Sequence, residues 1–167
     1  MFDTLTTECQ SNLYRFFLFD KFLKSYQNLF SFPNWDSPYQ HSYYSWENYI
    51  YQQFMMQILR SLEPRRELGD TILFKELEDI DEVIFFPRGV YDIGYSFGGE
   101  IKYKLRFTNR ALIGAYPVTF GKKTEYVYRT VTTCRGFFIR KSNWKNIMNH
   151  HEEITDQFKA AIMNQYA

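Results

Sequence analysis

The chain has 167 residues, enough for one well-packed core with appendages, and its 45% hydrophobic and 20% aromatic content excludes a disordered chain. The formal charge of +1 excludes a field strong enough to attract nucleic acid or an anionic membrane. Because 14 Tyr and 17 Phe exceed what one small core needs, some of these rings are expected to contact a partner.

Cysteine usage and hydropathy bear on the compartment of the chain. Cys9 and Cys134 make no disulfide framework, which favours a reducing, intracellular compartment. The longest apolar run, Phe16 to Phe19, stops at Asp20-Lys21, far short of the ~18–20 residues that a membrane-spanning helix requires. The start, Met1 to Thr4, lacks the basic and apolar parts of a signal peptide. The sequence therefore predicts a soluble chain without a transmembrane segment.

Residues 1–66 are predicted to form a helical N-terminal region with a Pro- and Tyr-rich connector. A first helix over residues 11–30 is predicted from aromatic and aliphatic side chains at three- and four-residue steps, namely Phe16, Phe19, Phe22, Leu23, Tyr26, Leu29 and Phe30. The segment Ser31–Ser45 contains two prolines and is predicted as the connector. A second helix is predicted from Trp46 to Leu62, with Ser45 as its N-cap and Pro64 beyond its end.

Residues 67–167 change to short apolar runs separated by turn residues. The runs predict five strands, Thr71–Lys75, Val83–Phe86, Tyr91–Phe97, Ile101–Phe107 and Ala111–Gly114. Gly98-Gly99 predicts a hairpin, because the tight turns that join paired strands need positive φ.

The last part of this region predicts two more runs and a helix. Alternation of β-branched and aromatic residues predicts a strand from Val127 to Cys134, and Gly136 is expected to interrupt the pattern before Phe137–Ile139. A helix is predicted from Ser142, its N-cap, to Tyr166. The predicted fold class is α+β: a small antiparallel β-roll, jelly-roll-like, of about eight strands with N-terminal helices and a C-terminal helix.

The stretch from residue 112 to residue 144 resembles a known family. The residues that carry the likeness are Ile113-Gly114-Ala115, Thr124-Glu125-Tyr126, Val127-Tyr128-Arg129-Thr130, Cys134 and Phe137-Phe138-Ile139. This order is similar to the phosphate-binding cassette and following strands of the cyclic-nucleotide-binding domain, as found beneath tetrameric potassium and cation channels. Tyr51 to Arg65 resembles the last piece of the linker that joins neighbouring subunits in those channels.

The resemblance implies a ligand site, and the sequence departs from it. Nucleotide-binding members hold the cyclic phosphate with backbone N–H groups and an Arg, and the ribose with a Glu. Here the Glu position, after Gly114, is Ala115, the Arg position is Thr124, and Pro117 removes one backbone N–H. Lys122-Lys123 is the local substitute for the Arg, although a solvated basic turn is the commoner role. The chain ends about where the helix before the lid would finish, so the sequence predicts a domain that does not bind cAMP or cGMP.

Other groupings of reactive residues predict no chemistry. His150 to Glu153 holds metal-ligand types, but adjacent helical residues point in different directions. The acids Glu76, Glu78, Asp79, Asp81 and Glu82 crowd one loop and are expected to be solubilising. No nucleophile motif or phosphate-binding loop is present in the sequence. We expect no enzyme activity, no metal and no cofactor.

Three functions from different classes are compatible with the sequence. The first is a regulatory and assembly module of a potassium channel, a homotetramer at the cytoplasmic face of a membrane. The second is a stand-alone structural subunit in a large intracellular hetero-assembly, and the third is a true cyclic-nucleotide sensor. Protein contacts are expected at aromatic residues of the N-terminal region, namely Phe16, Phe19, Phe22, Tyr26 and Trp35.

Overall fold

The computed structural model describes residues 5–35, 37–39 and 42–166. They form two compact units. One is Leu62–Lys145, and the other combines the described parts of Met1–Ser61 and Asn146–Ala167. Among the described residues, no helix has the length and apolar character needed to cross a bilayer.

The unit Leu62–Lys145 contains eight antiparallel strands in two four-stranded sheets. The strands are β1 (Glu63–Glu67), β2 (Ile72–Phe74), β3 (Glu82–Arg88), β4 (Val90–Phe97), β5 (Glu100–Thr108), β6 (Ala111–Ile113), β7 (Val127–Thr130) and β8 (Cys134–Arg140). One sheet has the order β1-β8-β3-β6 and the other β2-β7-β4-β5. Together with the helices at both ends of the chain, this confirms the predicted α+β class and the antiparallel β-roll of about eight strands.

The hairpin of β4 and β5 confirms the turn predicted at Gly98-Gly99, where φ is +60° and +81°. The pairing shifts by one residue between Ile93 and Gly94, so that Ile93 lies opposite Leu105 and Gly94 opposite Tyr103. An irregularity of this kind sharpens the twist of a strand pair and changes which side chains meet across it.

The predicted end of the seventh strand was wrong. β7 ends at Thr130, and Gly136, expected to interrupt a strand, lies inside β8. Beyond Thr130, the N–H groups of Val131 and Thr132 both donate to the carbonyl of Val90, at 2.8 and 3.3 Å, which is a turn pattern and not the alternating pattern of a strand. A β-carbon at position 136 would collide with the backbone carbonyl of Phe85 in the neighbouring strand, so glycine is needed for close approach.

The first helical segment is longer and more broken than predicted. It comprises α1 (Thr7–Leu13), a π-helical segment (Tyr14–Phe19), α2 (Asp20–Ser25) and α3 (Gln27–Phe30), with a break at Tyr26, where φ is −128° and ψ is 32°. The wider π turn rotates side chains away from the 3.6-residue pattern. The prediction of one regular helix over residues 11–30 was therefore wrong.

The second helix, α4 (Tyr49–Arg60), begins later than predicted. Its N-cap is Asn48, whose Oδ1 accepts from Tyr51 N at 3.1 Å, and not Ser45. Within α4, the side chains of Phe54, Met55 and Ile58 are completely buried.

The C-terminal helix is divided in two, α6 (Lys141–His150) and α7 (Glu152–Tyr166). The predicted N-cap Ser142 is wrong because α6 already begins at Lys141. At the break, the carbonyl of His151 accepts from Ile154 N and Thr155 N, at 3.1 and 3.0 Å. α7 packs against α3, and the ring of Phe158 lies 5.8 Å from that of Phe30 and 5.2 Å from that of Phe54. These rings form the aromatic core of the helical unit.

Candidate functional site

The segment that resembles the phosphate-binding cassette, called the cassette below, forms a short helical turn between two glycines. α5 (Ala115–Phe120) starts after Gly114 and ends at Gly121, which have φ of +87° and +63°. A β-carbon on Gly114 would lie 2.6 Å from the Glu82 carbonyl oxygen, so both φ and space require glycine there. Val118 N donates to Gly114 O at 3.0 Å, and α5 packs on β3.

Position 115 provides no hydrogen-bonding side chain. Ala115 is only 4% exposed, and Val118, on the next turn of α5, is buried as well. The two small apolar side chains fix α5 to the unit Leu62–Lys145. A carboxylate at position 115 would be placed in this buried surrounding.

Position 124 is occupied by a threonine that is fully engaged in local structure. Thr124 is 3% exposed, and its hydroxyl donates to Tyr126 O at 2.9 Å. Its backbone carbonyl accepts from Leu77 N at 2.8 Å, and its N–H donates to Glu78 O at 3.2 Å. Thr124 therefore joins the turn before β7 to the acidic loop before β3.

The remaining cassette residues provide little for an anion. Pro117 has no N–H, and the N–H of Val118 is used by Gly114. Lys122 and Lys123, beyond Gly121, are the only basic residues between Gly114 and Tyr126, and both are exposed. The structure places them after α5, in solvent.

A hydrogen bond attaches the cassette helix to α6. Trp144 Nε1 donates to Thr119 Oγ1 at 2.9 Å, and the indole is fully buried against the ring of Phe85, with 6.2 Å between ring centroids. The sequence indicated Trp144 only as part of a helix start. Its partner 25 residues away could not be inferred from spacing.

One face of the β4–β5 hairpin is apolar, a feature that the sequence analysis did not single out. Cross-strand pairing places Tyr91 opposite Phe107 and Ile93 opposite both Leu105 and Tyr128. Tyr91 and Phe107 stack with 5.3 Å between centroids. Burial raises the pKa of Tyr91 to about 12 and is the main cause that raises the pKa of Tyr128 to about 12, so both phenols stay neutral at physiological pH. The signal in the sequence that could have indicated this face is the apolar residue at every second position, Tyr91 and Ile93 in β4 and Leu105 and Phe107 in β5.

The opposite face of the same sheet carries a charged cluster. Asp92, 3% exposed, accepts from Arg106 Nε at 2.8 Å, from Arg106 at a second atom at 3.0 Å, and from Arg129 at 2.9 Å. The guanidinium of Arg129 lies 3.7 Å from the ring centroid of Tyr103. Hydrogen bonds from Arg106 are the main reason why the pKa of Asp92 is lowered, and those from Arg129 add to the effect against the opposing cost of burial.

Four of the five expected interface residues are either clearly exposed or buried. Phe16 is 55% exposed and Trp35 is 80% exposed, and Phe17, which the sequence analysis did not include, is 62% exposed. Phe22 and Tyr26 are buried within the helical unit, with 5.1 Å between their ring centroids.

Phe19 belongs to neither group of expected interface residues. It is half-buried, and its ring lies 4.5 Å from that of Trp46. Its position between the exposed and buried rings follows from the π-helical segment, which turns Phe16 and Phe17 outward while α2 turns Phe22 inward.

The histidines in the junction of α6 and α7 are held separately. His151 Nε2 lies 2.7 Å from Gln57 Oε1, and the ring meets Phe54 edge-on. His150 Nδ1 lies 2.8 Å from the carbonyl oxygen of Asn146. Within the described residues, no three His, Cys, Asp or Glu side chains come together as a metal-binding group.

No protein-family model matches the chain, and no curated protein matches it by sequence. It is similar in structure to the regulatory domain of Toxoplasma gondii PKA with cAMP, with a TM-score of 0.53 and 11% identity over 57% of this chain and 37% of that chain. It is also similar to a candidate cyclic nucleotide-binding protein from Geobacter metallireducens, with a TM-score of 0.57 and 12% identity over 67% of this chain and 81% of that chain.

A third similar structure responds to a different nucleotide. The c-di-GMP responsive global regulator CLP of Xanthomonas campestris has a TM-score of 0.56 and 15% identity, over 69% of this chain and 57% of that chain. The chain thus spans little more than a third of the Toxoplasma protein and just over half of the Xanthomonas regulator. At these identities the likeness shows the fold, which is that of cyclic-nucleotide-binding domains. The likeness to channel domains stays a prediction.

Proposed function

We propose that the chain is a non-catalytic regulatory and assembly module that has the fold of a cyclic-nucleotide-binding domain and does not bind cAMP or cGMP. The observation that carries the proposal is that the side chains at positions 115 and 124 offer no partner to a sugar or a phosphate. Ala115 offers no acceptor for a ribose hydroxyl, and the Thr124 hydroxyl donates to Tyr126 O. A cyclic phosphate buried there would have no fixed cation, and the loss of hydration costs several kcal/mol without such a partner.

The lysines of the cassette do not replace the missing arginine. Lys122 and Lys123 are exposed, and an ammonium group in solvent provides a screened point charge without the two-pronged geometry of a guanidinium. The short α5 also lacks the N–H of one residue, Pro117. The cassette therefore serves as a structural segment, tied to α6 by Trp144 and Thr119.

Exposed aromatic side chains support a role in protein contacts. Phe16, Phe17 and Trp35 are each more than half exposed, and large exposed rings are enriched where proteins meet. In the first candidate setting, the module belongs to a homotetrameric potassium channel at the cytoplasmic face of a membrane, as the sequence resemblance implies. In the second, it is a structural subunit of a large hetero-assembly, a setting that the same exposed rings favour.

Calorimetric titration of the chain with cAMP, cGMP and c-di-GMP tests the ligand-free assignment. We expect no saturable heat for cAMP or cGMP, and micromolar binding of either would overturn the proposal. The c-di-GMP titration asks whether the chain shares the ligand of the Xanthomonas regulator, and saturation by it would replace a ligand-free module with a dinucleotide sensor.

The double variant Ala115→Glu, Thr124→Arg tests whether the two positions alone account for the loss. We expect it to bind cAMP no better than the native chain, because the new carboxylate enters a buried position and the new guanidinium displaces the hydroxyl bonded to Tyr126 O. Circular dichroism of the double variant and both single variants verifies folding. Strong binding by a folded double variant would show that the remaining pocket is intact, contrary to the proposal that the cassette is structural.

Sedimentation of the native chain separates the two settings. A tetramer favours the channel module, and a monomer favours the subunit of a hetero-assembly. Phe16→Ser with Phe17→Ser is expected to weaken any self-association through the N-terminal rings. Tyr49→Ser is the matched control, because Tyr49 is 73% exposed at the start of a different helix.

A further inference from the structure

The β5 strand presents a long open edge. It lies at the end of the sheet β2-β7-β4-β5 and pairs with β4 on one side only, among the described strands. The other three strands at sheet ends are short: β2 and β6 have three residues each, and β1 has five, including a proline. β5 has nine residues, and each of them is exposed or half-exposed. An unpaired edge of this length is a template for the addition of another strand.

Apolar side chains continue along one face of this edge. Leu105 is 56% exposed and Phe107 is 39% exposed, and register places them next to Ile93 and Tyr91 on the same face of the hairpin. Phe97, nearer the turn, is 65% exposed. Every second side chain of an added strand would lie on this face and pack over these apolar side chains, as in other cases of strand addition.

The basic side chains along β5 favour a partner strand that carries acidic side chains. Along β5, Lys102, Lys104 and Arg106 are exposed against the single acid Glu100. Arg106 is already bonded to Asp92, so the two lysines present the basic charge. Two copies of β5 paired with each other would bring basic side chains together, which disfavours self-pairing, whereas acidic side chains on the added strand would be attracted.

We propose that β5 binds an extended segment of a partner protein in which acidic and apolar residues alternate. The segment pairs its backbone with the open edge and places its apolar side chains over Leu105 and Phe107. Its acids are attracted to the basic part of the edge, where Lys104 is exposed and the Lys102 ammonium lies 4.7 Å from the ring centroid of Phe97. Since the register shift divides the edge, pairing is strongest along residues 105–108. The inference rests on the proposed role as a protein-contact module and names the chemistry of one partner.

The probe is a fluorescein-labelled peptide of four Glu-Val repeats, titrated with the full chain and followed by fluorescence anisotropy. We expect saturable binding that weakens with added salt, and a Lys-Val peptide of equal length is expected to bind at least about tenfold more weakly. Hydrogen exchange of the complex is expected to slow at the amides of β5. A Glu-Val peptide with N-methyl groups on the edge-facing amides tests backbone pairing, and is expected not to bind.

Two pairs of charge reversals separate local from general electrostatics. Lys102→Glu with Lys104→Glu is expected to weaken Glu-Val binding about tenfold, the loss of two exposed ion pairs. Lys122→Glu with Lys123→Glu changes the net charge by the same amount in the cassette, and is expected to have little effect. Leu105→Ser is expected to weaken binding without altering its salt dependence.

Several results would overturn the inference: equal affinity for the Glu-Val and Lys-Val peptides, equal loss in the two charge-reversal variants, or unchanged binding of the N-methylated peptide. Self-association of the chain that the Glu-Val peptide does not disturb, with β5 amides already protected, would also overturn it, because the edge would then belong to a second copy. These outcomes are independent of the nucleotide titrations. Failure of the Glu-Val peptide to bind overturns this inference and leaves the ligand-free assignment unchanged, and binding of cAMP leaves a positive peptide result unchanged.

Discussion

Replacement of Asp92 by Asn should destabilise the sheet β2-β7-β4-β5 by about 3 kcal/mol. The carboxylate is 3% exposed and accepts three hydrogen bonds from Arg106 and Arg129 at 2.8 to 3.0 Å. The amide keeps the shape but turns an N–H group towards two guanidiniums. It removes the carboxylate partner of Arg106 and leaves Arg129 paired with the exposed Asp70 at 3.5 Å. Breaking a buried ion pair costs about 3–5 kcal/mol, and the lower end applies because the Arg106 side chain is 60% exposed and screened by water.

The assay is chemical denaturation of the native chain and variants, with hydrogen exchange of the β4 and β7 amides to locate the loss. Asp70→Asn is the matched control, because Asp70 also pairs with Arg129, at 3.5 Å, but its side chain is 86% exposed. We expect the control to cost no more than the ~0–1 kcal/mol of an exposed pair. Equal losses for the two variants would refute the reasoning, since burial would then have no effect on the value of the pair.

The pH dependence provides a second check on Asp92. Its pKa is lowered in the folded chain, first by the hydrogen bonds from Arg106, so the unfolded chain binds the proton more tightly. The advantage of the native chain over Asp92→Asn is therefore complete above the ordinary pKa of an aspartate and is lost as pH falls through the lowered value. A difference that grew on acidification would contradict this assignment.

Three further changes test other parts of the structure. Gly136→Ala should cost about 1–3 kcal/mol or prevent folding, because the new methyl collides with the carbonyl of Phe85; denaturation and solubility report this. Thr119→Val should cost about 1–3 kcal/mol in unfolding free energy, because it removes the hydroxyl that accepts a hydrogen bond from the buried indole N–H of Trp144. His151→Gln should reduce the loss of thermal stability between about pH 7.5 and about pH 5.5. Burial, helped by the neighbouring His150, lowers the pKa of His151, so protonation below its ordinary pKa favours the unfolded chain.

Each of these changes has a control in the same chain. Gly98→Ala also replaces a glycine, but at a hairpin turn with nothing within 4 Å, so only its φ of +60° opposes it and the cost should be about 1 kcal/mol. Thr119→Ser keeps the acceptor for Trp144 and should be nearly neutral. His150→Gln changes an exposed ring and should preserve most of the acid sensitivity. Equal costs of Gly136→Ala and Gly98→Ala would contradict the argument from the Phe85 carbonyl. Equal stability of Thr119→Val and Thr119→Ser would contradict the argument from the Trp144 hydrogen bond. Full acid sensitivity of His151→Gln would contradict the argument from the buried histidine.

The sequence predicts those parts of the fold that depend on local signals. Gly98-Gly99 and the flanking alternation were sufficient for the β4–β5 hairpin, because a two-residue turn fixes both strands. Gly136 has a different cause, since it admits the carbonyl of a strand about 50 residues away in sequence, and no local pattern separates this role from that of a turn. The π-helical segment was missed because helical periodicity is read at 3.6 residues per turn.

The charged cluster shows why a site can escape sequence reasoning even when its elements are predicted. A hairpin with regular pairing from Phe97 and Glu100 would place Asp92 opposite Leu105, so β5 would offer the acid no basic partner and Arg129 of β7 would be the cation opposite it. The one-residue shift between Ile93 and Gly94 moves Arg106 opposite Asp92. The pair of Arg106 with Asp92 therefore depends on an irregularity that cannot be predicted from the residue types, although both residues lie in predicted strands.

The cassette separates two requirements that coincide in a ligand-binding domain. Gly114 and Trp144 meet the requirement of the fold, because one permits α5 to approach the Glu82 carbonyl and the other anchors α5 through Thr119. Ala115 and Thr124, which we propose stand at the positions that hold the nucleotide in binding members, are both buried, and the Thr124 hydroxyl donates to Tyr126 O. Because residues of the first kind hold α5 through contacts within the protein, the proposed loss of nucleotide binding does not require any loosening of the fold. A chain of this kind is suited to contacts that use its edge strand and exposed rings, where the groups needed for recognition are already in place before a partner arrives.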